Sequence, residues 1–313
     1  MKKEQSGFRE YLGLTFLIGF GFFTMGLMDP LYDTYVPAFL DKYIDSKFLI
    51  GAVMTLDNVL QLFLISVVAI WSDRTRTRLG RRMPFILVML PMAALFFAFV
   101  PYAAEISLAA LIIIIFLLNI FRTSVRGPVV ALMPDTIPGD FRSEANGVIN
   151  TMGGIGTILG TLVLAQLMNL DIVLPVLGST RDRLPFPVAS LFVMIAVVVL
   201  LIFVRERNHD GEALEKRVPV TQSIKAVVAQ KDRSAFFILA SIFLWFMAHE
   251  GVKPFLGLYS RDALGASSGM MALPQGIAGI AYALAAIPMG YLAHRYGRRM
   301  VIRASLTGLV GIT

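Results

Sequence analysis

Cysteine is absent from the 313-residue chain, and charge is scarce, with 16% of residues being Asp, Glu, Lys or Arg. The first absence excludes disulfides and thiolate chemistry. The second falls well short of the roughly one quarter found in soluble domains, and a mean hydropathy of +0.73 points the same way. The three histidines, His209, His249 and His294, are not paired, and no G-x-S-x-G motif lies within an apolar run. Covalent and metal-dependent catalysis therefore find no residues to use, and the chain reads as a non-enzyme without a cofactor. What it has instead is apolar runs of transmembrane length from end to end. Runs such as "LAALIIIIFLLNIF" do not alternate in polarity, which excludes a transmembrane barrel. The class is an all-α polytopic membrane protein. A formal charge of +7 sits in short loops with no aromatic-basic module, so nucleic acid is excluded as a partner.

Eight spans are predicted, near 11–32, 48–71, 84–103, 106–131, 143–168, 186–204, 234–258 and 271–293. A further apolar segment, "VIRASLTGLVGIT", closes the chain. "MKKEQSGFREYLGLTFLIGF" starts like a signal peptide, but its apolar run is too long and lacks an A-x-A site, so it is a retained first span. One set of alternate loops holds Lys2, Lys3, Arg9, the five arginines of "WSDRTRTRLGRRMP" and most of the other bases. The opposite set holds only Lys42, Lys47, Arg181, Arg183 and Arg261. The positive-inside rule then puts the N-terminus in the cytoplasm of a cell (inner) membrane protein. The polar connection after the sixth span carries a short amphipathic piece (Ile224, Val227, Val228) suited to the membrane surface. This divides the chain into a six-helix bundle (1–204), a central cytoplasmic loop (205–233) and the start of a second bundle (234–313).

Gly80-Arg81-Arg82 after the second span returns as Gly297-Arg298-Arg299 after the eighth. A parallel repeat of six-helix halves is an arrangement used by secondary transporters, with the binding site between the halves near the midplane. "SDRTRTRLGRRMPFI" and "GPVVALMPDTIPGDFRSEANGVINTMGGIG" (Gly127 to Gly156) resemble the major facilitator superfamily. Within it, they are most similar to the sucrose-transporter-like and glycoside–pentoside–hexuronide:cation symporter branch. The resemblance implies a fold of two six-helix halves, the second incomplete in this chain. Its function would be secondary transport of a sugar or glycoside, often with a proton. It also implies a cytoplasmic latch of Asp73, Arg74, Gly80, Arg81 and Arg82, with Gly297, Arg298 and Arg299 as the second copy. Orientation and anionic-lipid contact account for the same arginines more plainly. The second copy has His294 where the aspartate would stand. By the internal ruler of the repeat, roughly 110 residues, three to four spans, would follow Thr313, so the chain is expected to be a fragment of a longer carrier that is monomeric when complete.

Ionisable residues at membrane depth default to functional hypotheses. Asp57, with Asn58 and Gln61, lies near the middle of the second span, where its carboxyl is either a proton site or an ion-pair partner for Arg122 or Arg126. Melibiose-type members of the family carry paired aspartates one turn further on, where this chain has Gln61 and Ile65, which favours a proton over sodium as the coupling ion. Arg122 and Arg126 share one face of the fourth span and require acids or substrate, although Arg126 is also able to snorkel to the inner surface. Related sucrose carriers have an arginine where this chain has Val130, and Arg126 lies one turn earlier on that face. Asn146 and Asn150 are candidates for sugar hydroxyls or for interhelical bonds. "GGIGTILG" (Gly153 to Gly160) is a packing face rather than a nucleotide loop, having no preceding strand. Asp29 and Asp33 fall at the predicted outer end of the first span, lining an outer vestibule or simply solvated. "HEGVKP" puts His249, Glu250 and Lys253 in the seventh span. Lysine in place of a second histidine excludes zinc, and Glu250 with Lys253 forms an intrahelical pair able to gate. The expected function is proton-coupled sugar symport. An exporter of amphiphilic compounds and a non-transporting membrane sensor are the alternatives.

Overall fold

A computed structural model describes residues 2–174, 178–204, 206 and 233–312. Ten α-helices are described: α1 (Lys2–Leu40), α2 (Lys47–Arg74), α3 (Met83–Ile106), α4 (Leu108–Thr136), α5 (Arg142–Ile158), α6 (Pro185–Phe203), α7 (Ser234–Val252), α8 (Phe255–Asp262), α9 (Leu273–Tyr296) and α10 (Arg298–Ile312). Among the described residues, seven helical stretches are long and apolar enough to cross a membrane, the last of them joining α7 and α8. The predicted amphipathic piece at 224–228 lies outside the described residues.

Local chemistry sets the helix ends. Ser46 accepts a hydrogen bond from the Leu49 amide and caps α2, while Ser107 accepts from Ala110 N at 3.1 Å and caps α4. Ser107 is also the single residue between α3 and α4. Proline stands in the first turn of α3, α6 and α9, where its missing N–H costs nothing. Inside α1, Pro30 and Pro37 are accommodated without ending the helix, as neighbouring helices permit in a membrane bundle. For that reason α1 runs to Leu40, eight residues past the predicted limit at 32.

The first six helices form one bundle, in which α1 packs along α5, α3 against α4 and α6, and α2 against α4. The α1–α5 seam is backbone on backbone. A side chain at Gly26 would strike the Gly153 carbonyl, and one at Gly160 would sit 2.9 Å from Leu27 O. The small residues of 153–160 are thus a packing face, and the helix continues past them through a π turn (Leu159–Val163) and a 3₁₀ turn (Leu164–Asn169). Tyr32, Tyr35, Phe97 and Phe186 are fully buried, and Phe186 packs edge-on or tilted on Tyr35, Phe39 and Phe97. By contrast Phe63, Val67, Ile70 and Trp71 of α2 are exposed, as apolar surface facing lipid would be. A two-residue ribbon pairs Val173–Leu174 with Gly178–Ser179.

The later helices touch this bundle at one end, the end away from the arginine-rich loops. Tyr35 Oη donates to Ser268 O at 2.8 Å, Gln166 Nε2 to Gly269 O at 3.1 Å, and Gly269 N to Asn169 Oδ1 at 3.1 Å. Gly257 of α8 lies so close to Thr34 that a Cβ there would be 2.9 Å from Thr34 O. Nearer the arginine loops, α7 has no buried residues along its apolar window. The bundle and the helices that follow it therefore meet at the far end and part towards the arginine end.

Candidate transport site

Helical spacing on α1 sets Asp29, Tyr32 and Asp33 on one face, at i, i+3 and i+4. Because α1 continues to Leu40, Asp29 lies eleven residues below its far end, about 16 Å at 1.5 Å per residue. Asp29 and Asp33 thus lie inside α1 rather than at its end. On α4, Asn119, Arg122 and Arg126 form a second stripe at i, i+3 and i+7. The stripes meet: Arg122 Nη1 donates to Asp29 Oδ1 at 3.0 Å, and Arg126 lies 3.6 Å from Asp29 Oδ2. The Arg122 guanidinium also lies over the Tyr32 ring at 4.1 Å, and Asn119 Nδ2 donates to Tyr32 Oη at 2.8 Å. Arg122 pairs with the first helix, and Asp29 is the acid that both α4 arginines share.

The third contributor is the break between α7 and α8. Pro254 has no N–H to bond back along the helix, and the chain there turns so that Lys253 Nζ reaches Asp33 Oδ2 at 2.8 Å and Glu250 Oε2 at 3.8 Å. Gln275 of α9 donates to the Lys253 carbonyl at 3.4 Å, which also accepts from the Leu256 amide at 3.3 Å, and so ties α9 to the break. Three acids (Asp29, Asp33, Glu250) and three bases (Arg122, Arg126, Lys253) thus compensate one another across three helices, as charges at membrane depth require.

A cavity of about 520 Å³ adjoins this cluster, lined by Asp33, Thr55, Asn58, Glu250, Phe48 and Phe255 among others. It brings Asn58 to the acids of α1 and α7, with phenylalanine rings alongside. Asp57 lies on α2 next to Asn58, but its side chain is outside the described residues; Gln61 is half-buried on the same helix. Asn146 and Asn150 are exposed on α5, on the face that carries Thr157, which a Cβ on Gly279 of α9 would touch at 3.5 Å. His249 is exposed and stacks on Trp245 at 5.3 Å, away from Asp33 and Lys253. Among the described residues no group of three or more His, Asp or Glu is placed to hold a metal.

Closer to the far surface, Asp41 receives Arg261 Nη2 at 2.5 Å and the Lys47 ammonium, and Lys47 lies 3.8 Å from Asp262. Burial pushes the Asp41 carboxyl up, but the Lys47 and Arg261 hydrogen bonds outweigh it and hold the pKa below the ordinary carboxylate value.

At the arginine end, Gly80 adopts φ +106°, which lets the loop fold tightly under α3. Arg82, 4% exposed, is a hub. It pairs with Asp73, donates from Nε to Asp135 Oδ2 at 2.8 Å, and reaches the Ser72 hydroxyl. Its backbone N–H donates to Glu206 Oε2 at 2.8 Å. Burial opposes the Arg82 charge, yet the carboxylates of Asp135 and Asp73 more than offset it, so the guanidinium pKa is raised. Arg81 lies 3.6 Å from Asp135 and 3.7 Å from Glu206, while Arg74 is exposed. Gly297, at the second copy, ends α9 with φ +85°. Arg299 is exposed there, and the side chains of His294 and Arg298 lie outside the described residues. Sequence reasoning passed over Asp135 and Glu206. The available signal was an acid at the arginine end of the fourth and sixth spans, where that end is otherwise basic.

The class these features define is a helical membrane-spanning bundle with a charge-compensated cluster beside a seam between two sets of helices. The chain belongs to the Major Facilitator Superfamily, whose family model matches residues 13–313. It is similar to a general alpha-glucoside permease of Schizosaccharomyces pombe, 27% identical over 221 residues that take in 63% of this chain and 40% of that protein. It is also similar to a sucrose transport protein of Arabidopsis thaliana, 34% identical over 113 residues, 30% of this chain and 19% of that one. The chain thus matches less than half the length of either relative. In fold it resembles a D-xylose–proton symporter (TM-score 0.62, 14% identity, 90% of this chain and 69% of that chain). It also resembles a bacterial homologue of the lysosomal transporter Spinster in an inward-facing, occupied conformation (TM-score 0.64, 15% identity, 93% and 63%).

Proposed function

We propose that the chain is part of a secondary active transporter that carries a sugar or glycoside with a proton, by alternating access between its two halves. The observation that carries this reading is the cluster of Asp29, Arg122, Arg126, Asp33, Lys253 and Glu250 at the seam, beside a cavity with polar and aromatic walls. Carboxylates at membrane depth suit proton exchange, since the neutral acid is the form that low dielectric favours. Tyr32, Asn58, Asn119, Asn146 and Asn150 supply hydrogen-bonding groups for hydroxyls, and Phe48 and Phe255 supply ring faces. The sugar carriers among its relatives support the substrate class. In this reading the arginine end is cytoplasmic and the far end outer, the division into 1–204, 205–233 and 234–313 is that of two bundles and their linker, and the described conformation is closed to the outside. The Arg82 hub is then the cytoplasmic latch.

External pH, followed in lightly buffered, de-energised cells while sucrose, maltose, melibiose and other glycosides are added in turn, tests the reading. Alkalinisation with one of them is the expected result. No response to any, with the protein verified in the membrane, would overturn proton symport of a sugar.

A further inference from the structure

Asp29 and Asp33 sit one turn apart on α1, yet their partners belong to different parts of the molecule. Asp29 is held by Arg122 and Arg126 of α4, within its own bundle. Asp33 is held by Lys253, from the break between α7 and α8 in the following helices. The other charged groups around Asp33 are Glu250 on α7, Lys47 at the start of α2 on the wall of the shared cavity, and Arg122 and Asp29 one turn towards the arginine end. Arg122 already has Asp29 as its acid, so Lys253 is the base that compensates Asp33.

We propose that Asp33 is a proton-binding site that Lys253 loads and discharges by leaving and returning. The inference rests on the alternating-access reading above. When the halves part at the far end, Lys253 departs with the second half. Asp33 is then a carboxylate that has lost its paired ammonium, with Asp29 one turn away and Arg122 engaged by Asp29, and it binds a proton from the side then open. When the far end closes, the Lys253 ammonium returns to the carboxyl oxygen. The O–H bond breaks, the proton leaves to water on the arginine side, where the helices part, and the Asp33 carboxylate pairs with an ammonium that has kept its own three protons. One proton moves inward per cycle, and no other charge changes. Asp29 keeps both of its arginines throughout the movement, because they travel with it. Asp33, rather than Asp29, is therefore the acid whose proton affinity the rocking movement alters.

Two readouts on the full chain test this. The first needs no substrate: pH-titrated infrared difference spectra of the purified protein report carboxyl protonation. Lys253→Gln should reveal one carboxyl that binds a proton at a concentration about 10- to 1,000-fold lower than in the parent, the usual effect of removing a neighbouring opposite charge. Asp33→Asn/Lys253→Gln should lose that band, and by removing both charges it also guards against misfolding of a single variant. A Lys253→Gln spectrum identical to that of the parent, or a gained band that survives in the double variant, would overturn the proposal. The second readout is sugar movement in proteoliposomes. Asp33→Asn should retain counterflow exchange while proton-driven accumulation falls to parity. Undiminished accumulation in Asp33→Asn, with an active parent, overturns the Asp33 site and leaves symport standing. A parent that moves none of the sugars, with the infrared result as expected, overturns the sugar reading and leaves the site.

Discussion

Among the described residues, a buried charge network at the arginine end and a partly exposed one running from mid-depth to the far end differ in what they join. At the arginine end, Arg81, Arg82, Asp73, Asp135 and Glu206 knit together α2, α3, α4 and the residue just beyond α6, all within or adjoining one bundle. At mid-depth and the far end, Asp33–Lys253 and Asp41–Arg261 cross from α1 and its following loop to α7 and α8. A network inside one body fixes that body's shape. A network across a seam reports whether the seam is closed. Charge content is similar in the two places, so connectivity rather than composition separates a structural hub from a moving part.

The sharpest way to break this contrast is Arg82→Met. It removes the buried guanidinium that Asp73 and Asp135 share and should cost about 3–5 kcal/mol, read as a large fall in thermal midpoint in detergent. Lys253→Gln, at a half-exposed pair, should lower the midpoint far less; equal losses would collapse the distinction. Next comes Gly80→Ala. It forces a side chain into a left-handed backbone and against Glu206, at about 1–3 kcal/mol for the backbone strain alone. Gly297→Ala meets no neighbour within 4 Å and should show the backbone part only. Gly257→Val tests the seam itself: its side chain would collide with Thr34 and prop the far end open. A single cysteine at Ser260, buried one turn from Gly257 in a chain that has no other, should then react with an external maleimide several-fold faster. The smallest effect is expected at Asp41. Its pKa lies below the ordinary value of about 3.9, so its contribution to closure is complete above that value and is lost only as pH falls through its folded pKa. Ser260→Cys labelling should therefore be flat from neutral pH to about pH 5, relative to an always-exposed reference cysteine, and rise only in stronger acid.

Much of this was legible before any coordinates. Apolar runs locate the spans, and the repeated glycine of the two G-R-R motifs, Gly80 and Gly297, recurs as a left-handed turn in both places. The requirement that Arg122 and Arg126 find an acid was also readable, because two guanidinium groups on one membrane face need compensation. Which acid was not. Asp29 is an acid described for both arginines, while the Asp57 side chain, the sequence's candidate, lies outside the described residues. Tertiary contacts let the helix run through both prolines to Leu40, and that places Asp29 and Asp33 inside the helix rather than at its end. Glu206 was hidden for the opposite reason: it follows the sixth span in a stretch of mixed charge, and only folding slides it under Gly80.

One small contact has a long reach. Gln275 adds a side-chain hydrogen bond to the Lys253 carbonyl beside the Pro254 break, so the α7–α8 joint is tied to α9. From Gln275 that helix runs unbroken to Tyr296, about 32 Å at 1.5 Å per residue. The seam beside Lys253 and the second arginine turn are thus the two ends of one helix, with Pro288 partway along it as the place where it can bend.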